Sequence, residues 1–257
     1  MTTILVTGGT GTLGRALVPR LEQAGHTVRV MSRSTDSRWR GDLETGDGVA
    51  EAVAGVDVVV HLANKYGGDP AMTQRLVDAI NSTGGRPHLV LPSIVGVNTL
   101  PYDSPLDRMQ FGYLQKKLQA EDAVRASGLP WTILRATQFH SLVVTLAKAL
   151  TGGPIALSMK GVRVQPVDAD DVAARLAQLA DGEPAQVVEP IGGPTTYLLD
   201  DLVRSYLAAT GRRKPVLSIP MAGRAARAYA AGANLAPAHA TGETTWEQHL
   251  AAEVSAA

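Results

Sequence analysis

Tyr113 and Lys117 are separated by three residues in a segment, residues 109–127, whose pattern predicts a long helix. On a helix this spacing places the two side chains one turn apart on the same face, so a phenol and an ammonium can reach one site. A free tyrosine has a pKa of about 10 and is a poor acid–base catalyst at neutral pH, but a nearby cation lowers that pKa. The pair therefore predicts a proton donor. Taken alone, however, this spacing is more often part of an exposed helix surface.

A second group of chemically informative residues lies near the start of the chain, where residues 4–15 read ILVTGGTGTLGR. The segment begins as a buried strand and continues into the amphipathic helix predicted for residues 13–21, so the glycines occupy a strand-to-helix turn. Side chains at Gly9 and Gly11 would keep the backbone away from a pyrophosphate, and Gly14 lets the helix pack closely. Unpaired amides at the helix start face the phosphate. The turn predicts a dinucleotide site rather than an ordinary glycine turn.

The residues after the second predicted strand, residues 27–31, indicate which nucleotide binds. An NAD site usually has an acid here to bind the ribose 2′-hydroxyl, but no acid occurs before Asp36. Arg33, flanked by Ser32 and Ser34, could instead bind a 2′-phosphate through two charge-assisted hydrogen bonds. This pattern predicts NADPH. Two alternatives stay open: Arg33 is only a solvated loop cation, or Asp36 turns inward toward the ribose.

Composition excludes several classes of function. The chain has 257 residues, of which 45% are apolar, and 24 basic residues balance 24 acidic ones. Without a basic block, neither nucleic acid nor an anionic membrane is an expected partner. No apolar stretch could cross a bilayer and no signal peptide is recognised, so we expect a cytoplasmic protein. The chain has no cysteine and its six histidines lack metal-binding spacing, so neither disulfides nor a metal site is expected.

The elements that must position these residues alternate between strand-like and helix-like segments. This alternation predicts a Rossmann-type α/β fold with a right-handed, doubly wound parallel sheet. The segments after the first helix are the strands at residues 27–31, 56–61, 88–91 and 131–134 and the helices at residues 71–80 and 109–127.

The regular alternation loosens after residue 135, which suggests one Rossmann-like unit with a smaller, mostly helical lobe on its substrate side. We expect residues 1–135 to form the dinucleotide-binding core and residues 136–160 and 192–257 to form the lobe, over the carboxyl edge of the sheet. Residues 161–191 then return to the core.

Within residues 161–191 we expect a strand at residues 162–167, a helix at residues 170–179 with Asp170 or Asp171 as its N-cap, and a strand at residues 187–191. The small residues at 222–233 fit either close helix packing or a mobile lid.

Several of these motifs resemble one known family. The pattern Thr-Gly-Gly-Thr-Gly-x-x-Gly, with Gly8, Gly11 and Gly14, resembles the fingerprint of the extended and atypical short-chain dehydrogenase/reductases. Tyr-x-x-x-Lys and its continuation to Glu121 resemble the active site of that superfamily. The stretch SGLPWTILR ending at Arg135, the Gln-Phe pair that follows and the acidic segment at 167–172 resemble the NmrA-like NAD(P)H-binding branch. The resemblance extends over nearly the whole chain.

The resemblance implies roles for the residues that match the family's active site. Tyr113 would donate a proton to a carbonyl oxygen, Lys117 would lower the pKa of the phenol and hold the nicotinamide ribose, and Ser93 would hydrogen-bond the same carbonyl oxygen. Two departures from the pattern bear on this geometry. Pro92 removes a sheet donor directly before Ser93, and Ala136 stands where many relatives have proline.

Cofactor contacts are expected in the glycine turn, after the second and third strands, beside the nicotinamide ribose and on the long helix. They are Gly8, Gly9, Thr10, Gly11, Thr12, Leu13, Gly14, Ser32, Arg33, Ser34, Asp42, Leu43, Leu62, Ala63, Asn64 and Lys117.

Candidate substrate contacts indicate a partly apolar cavity with a few polar groups. They are Tyr66, Val95, Gln138, Phe139 and His140. A lone histidine beside an apolar segment is more often structural, so His140 has two interpretations.

These patterns together predict an NADPH-dependent reductase of the carbonyl, quinone or enone of a small apolar molecule. One alternative is a sensor that binds NADPH and docks on a partner without turnover. Another is a redox-neutral cyclase or isomerase that uses the nucleotide as a scaffold. The substrate, the direction of the reaction and the oligomeric state are not readable from the residues.

Overall fold

The computed structural model describes residues 1–34, 37–64 and 70–255. In these residues the strands are β1 (Thr3–Thr7), β2 (Thr27–Ser32), β3 (Trp39–Arg40), β4 (Val58–His61), β5 (His88–Ile94), β6 (Trp131–Ala136), β7 (Ala156–Met159), β8 (Arg163–Val164), β9 (Gln186–Val187), β10 (Tyr197–Leu198) and β11 (Val216–Ile219).

The α-helices of the same residues alternate with the strands through the first half of the chain. They are α1 (Thr12–Gln23), α2 (Val49–Val53), α3 (Pro70–Ser82), α4 (Pro105–Ala126), α5 (His140–Leu150), α6 (Ala169–Asp181), α7 (Leu199–Ala209), α8 (Arg224–Ala230) and α9 (Trp246–Ser255), and a 3₁₀ helix covers Pro237–His239.

Seven strands form the central sheet in the order β3-β2-β1-β4-β5-β6-β9. β1 pairs in parallel with both β2 and β4, so Thr7 lies beside Met31 on one side and His61 on the other. The chain moves outward from β1 in one direction and then in the other, which is the doubly wound arrangement. The predicted fold class is confirmed.

Burial explains why the apolar runs form central strands. Ile4, Leu5 and Val6 in β1 are inaccessible to solvent, as are Val59 and Val60 in β4. A parallel strand covered on both faces by helices requires such continuous apolar runs. Each fully buried side chain of this size contributes about 1.5–3 kcal/mol relative to an exposed one.

The glycine turn between β1 and α1 is fixed by close backbone contacts. Gly8 has φ +68°, and a Cβ there would lie 2.7 Å from the Ala63 nitrogen. At Gly14 a Cβ would overlap the backbone of Gly9. At Gly9 a Cβ would lie 2.7 Å from the Val30 side chain in β2, so the missing Cβ makes room for this packing, and the predicted contact of Gly9 with a pyrophosphate stays a prediction. Packing therefore explains three of the four glycines in the turn.

The chain divides into two compact units. The first comprises Met1–Ser93, Tyr113–Arg135 and Val172–Glu189, and the second comprises Ile94–Gly112, Ala136–Asp171 and Pro190–Ala257.

This division differs from the predicted domains at residues 94–112, 161–171 and 190–191, which group with the second unit instead of the binding core. Contacts inside that unit explain the difference. The Val95 amide donates to the Ala136 carbonyl at 2.9 Å, and Asp107 Oδ1 accepts the Ala225 N–H at 3.0 Å. For residues 161–171, the Gln165 side-chain amide donates to the Gly193 carbonyl at 2.8 Å. These partners are distant in sequence.

The second unit has its own apolar cluster, which includes Val143, Leu202 and the fully buried Trp246. Two small sheets belong to it: β8 pairs antiparallel with β10, and β7 pairs in parallel with β11. β7, β10 and β11 were not predicted, and β8 covers only part of the strand expected at residues 162–167. The burial of Ala225 and Ala226 in α8 supports the packing interpretation of the small-residue segment.

The start of α6 also differs from the prediction. The helix begins at Ala169, so the capping residue is Asp168, whose Oδ1 accepts the Asp170 N–H at 2.9 Å. Asp170 and Asp171 lie in the first helical turn instead, where their negative charges interact favourably with the helix dipole. Among the described residues no helix is long and apolar enough to span a membrane.

Candidate active site

A cavity of about 690 Å³ lies in the first unit, beside the glycine turn and the carboxyl ends of β1, β2 and β4. Most of the residues expected to contact a cofactor line it. These are Gly8, Thr10, Gly11, Ser32, Arg33, Ser34, Asp42, Leu43, Leu62, Ala63 and Asn64. Gly9, Thr12, Leu13, Gly14 and Lys117 were also expected to contact the cofactor but do not line this cavity.

The turn at the start of α1 has the donors and the open space that a pyrophosphate needs. Gly11 is the N-cap and has no side chain to bind the amides of the first turn. Those amides have no acceptor within the helix, so they can bind an anion. A Cβ at Gly11 would meet only the Gly8 carbonyl oxygen within 4 Å, at 3.3 Å. The cavity is also within the size range of about 300–1,000 Å³ typical of small-molecule sites. The residues present fit a dinucleotide.

Three residues that line this cavity were not predicted: Met31, Glu44 and Met72. Met31 is next to the last residue of β2, so the rule that ligands bind at the carboxyl edge of a parallel sheet could have identified it. Met72 lies on α3, within no recognised motif, and only the folded structure identifies it.

Arg33 lines the cavity with a side chain that is 73% exposed, and its guanidinium lies 3.9 Å from Glu44 Oε1. An exposed ion pair of this length contributes little to stability, so the guanidinium can exchange this partner for a stronger anion. Two residues named in the sequence analysis, Asp36 and Tyr66, lie outside the described residues.

Tyr113 and Lys117 do lie one turn apart on one helix, α4, which starts four residues earlier than predicted and has non-helical backbone angles at Phe111. The Asn64 side-chain amide donates to Tyr113 Oη at 3.0 Å. In this hydrogen bond Tyr113 is the acceptor, so its own O–H is not used in it. The phenol is 37% exposed and is thus accessible to a ligand.

Burial lowers the pKa of Lys117 to about 8, and the negative charge of Glu121, one turn further along α4, partly opposes this decrease. A group with this pKa is mostly protonated at neutral pH. The ammonium also lies close enough to His61 to affect its titration. Lys117 is therefore a cation held in a partly desolvated place, whereas the neighbouring Lys116 is exposed.

His61, at the end of β4, is a buried histidine that the sequence did not single out. Burial, together with the Lys117 charge, lowers its pKa to about 3, so the ring is neutral at neutral pH. Its Nδ1 is 2.8 Å from Thr7 Oγ1, which also accepts the Ala63 N–H at 3.1 Å. Its Nε2 is 3.2 Å from Thr73 Oγ1. These bonds tie the end of β1 to the segment that carries Asn64.

Ser93 lies within β5, which extends to Ile94 rather than ending at residue 91 as predicted. The side chain is buried, and Pro92 is accommodated in the same strand. The Ser93 hydroxyl is near enough to Glu121 to help lower the pKa of that carboxyl, but it makes no hydrogen bond of regular geometry with the described residues. Its contact with a substrate oxygen stays a prediction.

Glu121 is fully buried and is bound by two guanidiniums. Arg135 donates to it at 2.9 and 2.7 Å, and Arg125 donates at 2.6 Å. Burial alone would raise the pKa of Glu121, but the hydrogen bonds and the charge of Arg135, together with the nearby Ser93 hydroxyl, hold it below the usual range. The cluster joins α4 to β6, which fixes the helix that carries Tyr113.

The remaining candidate substrate contacts belong to the second unit. Both ends of the Gln138 amide are used inside it, since Nε2 donates to the Asn234 carbonyl at 3.2 Å and Oε1 accepts the Gln165 N–H at 3.3 Å. His140 is buried, with Nε2 3.1 Å from the Thr244 carbonyl oxygen.

Phe139 is half-buried and is the N-cap of α5, and Val95 is buried. A role in substrate binding stays a prediction for Val95, Gln138, Phe139 and His140.

Comparisons with known proteins agree with this geometry. The model of the NAD(P)H-binding family matches residues 8–183. A (4-alkanoyl-5-oxo-2,5-dihydrofuran-3-yl)methyl phosphate reductase of Streptomyces griseus is 34% identical over 184 residues, which are 66% of this chain and 60% of that protein. An NAD(P)H azoreductase of Xenophilus azovorans is 27% identical, with 81% of this chain and 74% of that protein covered. The chain thus spans less than two thirds of the Streptomyces enzyme.

Solved structures share the fold. The NADPH-dependent quinone oxidoreductase of Escherichia coli has a TM-score of 0.76 at 15% identity, with 97% of this chain and 99% of that chain covered. The same enzyme complexed with NADPH also has a TM-score of 0.76, at 16% identity and 98% and 99% coverage.

Replacing Glu121 with glutamine should lower the free energy of unfolding at pH 7 by about 3–5 kcal/mol, because Arg135 would stay partly buried without its counterion. The loss should depend on pH. Since the pKa of Glu121 is below its unfolded value, the carboxylate stabilises the fold above about pH 4.3 and this contribution disappears as the pH falls through the folded pKa. Urea unfolding at several pH values measures both effects.

The matched control for this variant is Glu253→Gln. Glu253 pairs with Lys148 at 3.3 Å, but both side chains are about half exposed. This exposed pair should be worth only about 0–1 kcal/mol. Equal losses in the two variants would mean that the Glu121 cluster does not fix α4.

Proposed function

The chain belongs to the NAD(P)H-binding family, and we propose that it is an NADPH-dependent oxidoreductase that reduces a carbonyl, quinone or enone of a small apolar molecule. The observation that carries this proposal is the arrangement of Asn64, Tyr113 and Lys117 in the unit that contains the nucleotide cavity. When bound, NADPH supplies the hydride. The side chains of this site hold and move the proton.

Tyr113 is the proton donor of the proposed reaction. Its Oη gives a proton to the substrate oxygen, which leaves a phenolate. The Asn64 amide, 3.0 Å away, already donates to Oη, and this bond strengthens when the oxygen becomes negative. The Lys117 ammonium stabilises the same charge because it is partly desolvated on the same face of α4.

The polar network beneath the site keeps these groups in place. His61 is neutral, so it binds Thr7 and Thr73 without adding a charge. The Glu121 carboxylate, one turn further along α4, partly offsets the cost of burying the Lys117 ammonium. A fixed site of this kind reduces the reorganisation needed when charge develops on the phenol.

The names of the relatives support the substrate class. They are an alkanoyl dihydrofuranone phosphate reductase and an azoreductase, and one structural neighbour is a quinone oxidoreductase. All three reduce small molecules with unsaturated acceptor groups, which agrees with a carbonyl, quinone or enone as the substrate here.

Arg33 supports the preference for NADPH. Its guanidinium lies on the cavity wall at the end of β2, where an acid would be expected in an NAD-specific site. A 2′-phosphate carries more negative charge than the Glu44 carboxylate, and the guanidinium can bind two of its oxygens at once. The exposed Arg33–Glu44 pair is therefore expected to open when NADPH binds.

Tyr113→Phe should lower kcat for NADPH oxidation by a quinone about 10²–10⁴-fold, because the variant lacks the general acid. The dissociation constant for NADPH should change little, since the phenol hydroxyl is not needed for nucleotide binding. Stopped-flow absorbance at the nicotinamide band measures the rate, and calorimetry measures the affinity.

Tyr197→Phe is the control, because the Tyr197 hydroxyl binds Glu247 in the second unit and should not affect the rate. Undiminished turnover in Tyr113→Phe would remove Tyr113 from the proposed role. A protein that binds NADPH but oxidises it with none of a panel of carbonyls, quinones and enones would favour the sensor alternative.

Arg33→Ala should raise the dissociation constant for NADPH about 10- to 100-fold and leave that for NADH nearly unchanged, because only NADPH has the phosphate that this guanidinium binds. Calorimetric titration of both nucleotides checks the ratio. A variant that keeps the full wild-type preference for NADPH would show that Arg33 does not determine it.

A further inference from the structure

A second cavity, of about 370 Å³, adjoins the nucleotide cavity in the first unit. The two cavities share Arg33, Gly41 and Asp42, and the second one is also lined by Arg40. We propose that Arg40 is a second guanidinium for the nucleotide 2′-phosphate, which would be bound between Arg33 and Arg40. This inference rests on the proposed preference for NADPH and names the residue that completes its phosphate subsite.

Strand pairing places the two arginines side by side. β2 and β3 are parallel, and Ser32 is in register with Arg40. Arg33 follows Ser32 directly, and neighbouring strands lie about 4.8 Å apart. The two arginines therefore stand at the ends of neighbouring strands, and both line the second cavity.

The Arg40 guanidinium has no polar partner among the described residues. Its side chain is exposed, and within residues 1–34, 37–64 and 70–255 its guanidinium makes no hydrogen bond or ion pair. In contrast, the guanidinium of Arg29, which lies nearby in β2, is bound within the protein. It packs over the Trp39 ring at 4.2 Å and donates to the Ala54 carbonyl at 2.7 Å.

The backbone around Arg40 is rigidly placed. The Gly41 N–H donates to the Ser32 carbonyl at 3.0 Å, which continues the β2–β3 pairing past Arg40. Gly48 has φ +68°, and a Cβ there would overlap the Arg40 carbonyl, so only glycine fits this contact. The cavity wall that carries Arg40 is thus held by the fold.

Two carboxylates on the same wall are held by the loop. Asp42 Oδ1 accepts the Glu44 N–H at 2.7 Å, and Asp47 Oδ2 accepts the Thr45 hydroxyl at 2.8 Å. These bonds shape the turn after β3.

A phosphate with two negative charges has three terminal oxygens, so one guanidinium can bind two of them and the second can bind the third.

The experiment measures NADPH and NADH binding by calorimetry for the wild type, Arg33→Ala, Arg40→Gln and Arg40→Lys. We expect Arg40→Gln to raise the dissociation constant for NADPH about tenfold and to leave that for NADH unchanged. Arg40→Lys should recover part of the loss, because it keeps the charge without the fork. Binding of 2′,5′-ADP should follow the NADPH result.

Arg38→Gln is the matched control. Arg38 is exposed and two residues away, but it lies over Trp39 at 5.6 Å and lines neither cavity, so its removal should not change NADPH affinity.

The results distinguish a failure of the proposed NADPH preference from a failure of the proposed role of Arg40. If the wild type does not prefer NADPH, the proposed preference fails and the role of Arg40 with it. If the wild type prefers NADPH and Arg33→Ala loses that preference, but Arg40→Gln keeps it, only the role of Arg40 is overturned. Equal weakening of NADPH and NADH in Arg40→Gln would also overturn it, because such a loss would reflect the loop and not the phosphate.

Discussion

The close contact between the end of β1 and the end of β4 is the constraint on which the candidate site depends. Gly8 has no Cβ, so the backbone at Ala63 can lie against it, and the Thr7 hydroxyl then binds both the Ala63 N–H and the His61 ring. This contact fixes one wall of the nucleotide cavity. It also places the Asn64 amide at the Tyr113 hydroxyl, so the nucleotide cavity and the proposed proton donor share one support.

Burial and ion pairing together determine which side chains around this contact are charged. His61 stays neutral because burial opposes its protonation, while Lys117 stays mostly charged because Glu121 partly offsets the cost of burial. Glu121 in turn is held ionised by Arg135 and Arg125. The result is a cation one helical turn from the Tyr113 phenol, and a nearby cation favours the phenolate that the proposed proton transfer would leave.

Local patterns in the sequence were sufficient for the central strands β1 and β4, but not for the bounds of the two-residue strands β3 and β9. The apolar runs of β1 and β4, the glycine turn and the Tyr113–Lys117 spacing depend on neighbours within a few residues, and the structure contains them as predicted. The Asn64–Tyr113 bond joins residues 49 positions apart, and neither strand periodicity nor helix spacing specifies such a contact. β7 and β11 were not predicted for the same reason. Each is short and is a strand only through its pairing with the other.

The pH dependence of NADPH oxidation with a quinone as acceptor tests the central claim most directly, because it reports the charge on Lys117 beside Tyr113. We expect kcat/KM to be level at neutral pH and to fall as the pH rises through about 8, where Lys117 loses its proton. A rate constant that is level up to pH 10, or no NADPH oxidation at any pH with any carbonyl, quinone or enone acceptor, would contradict it.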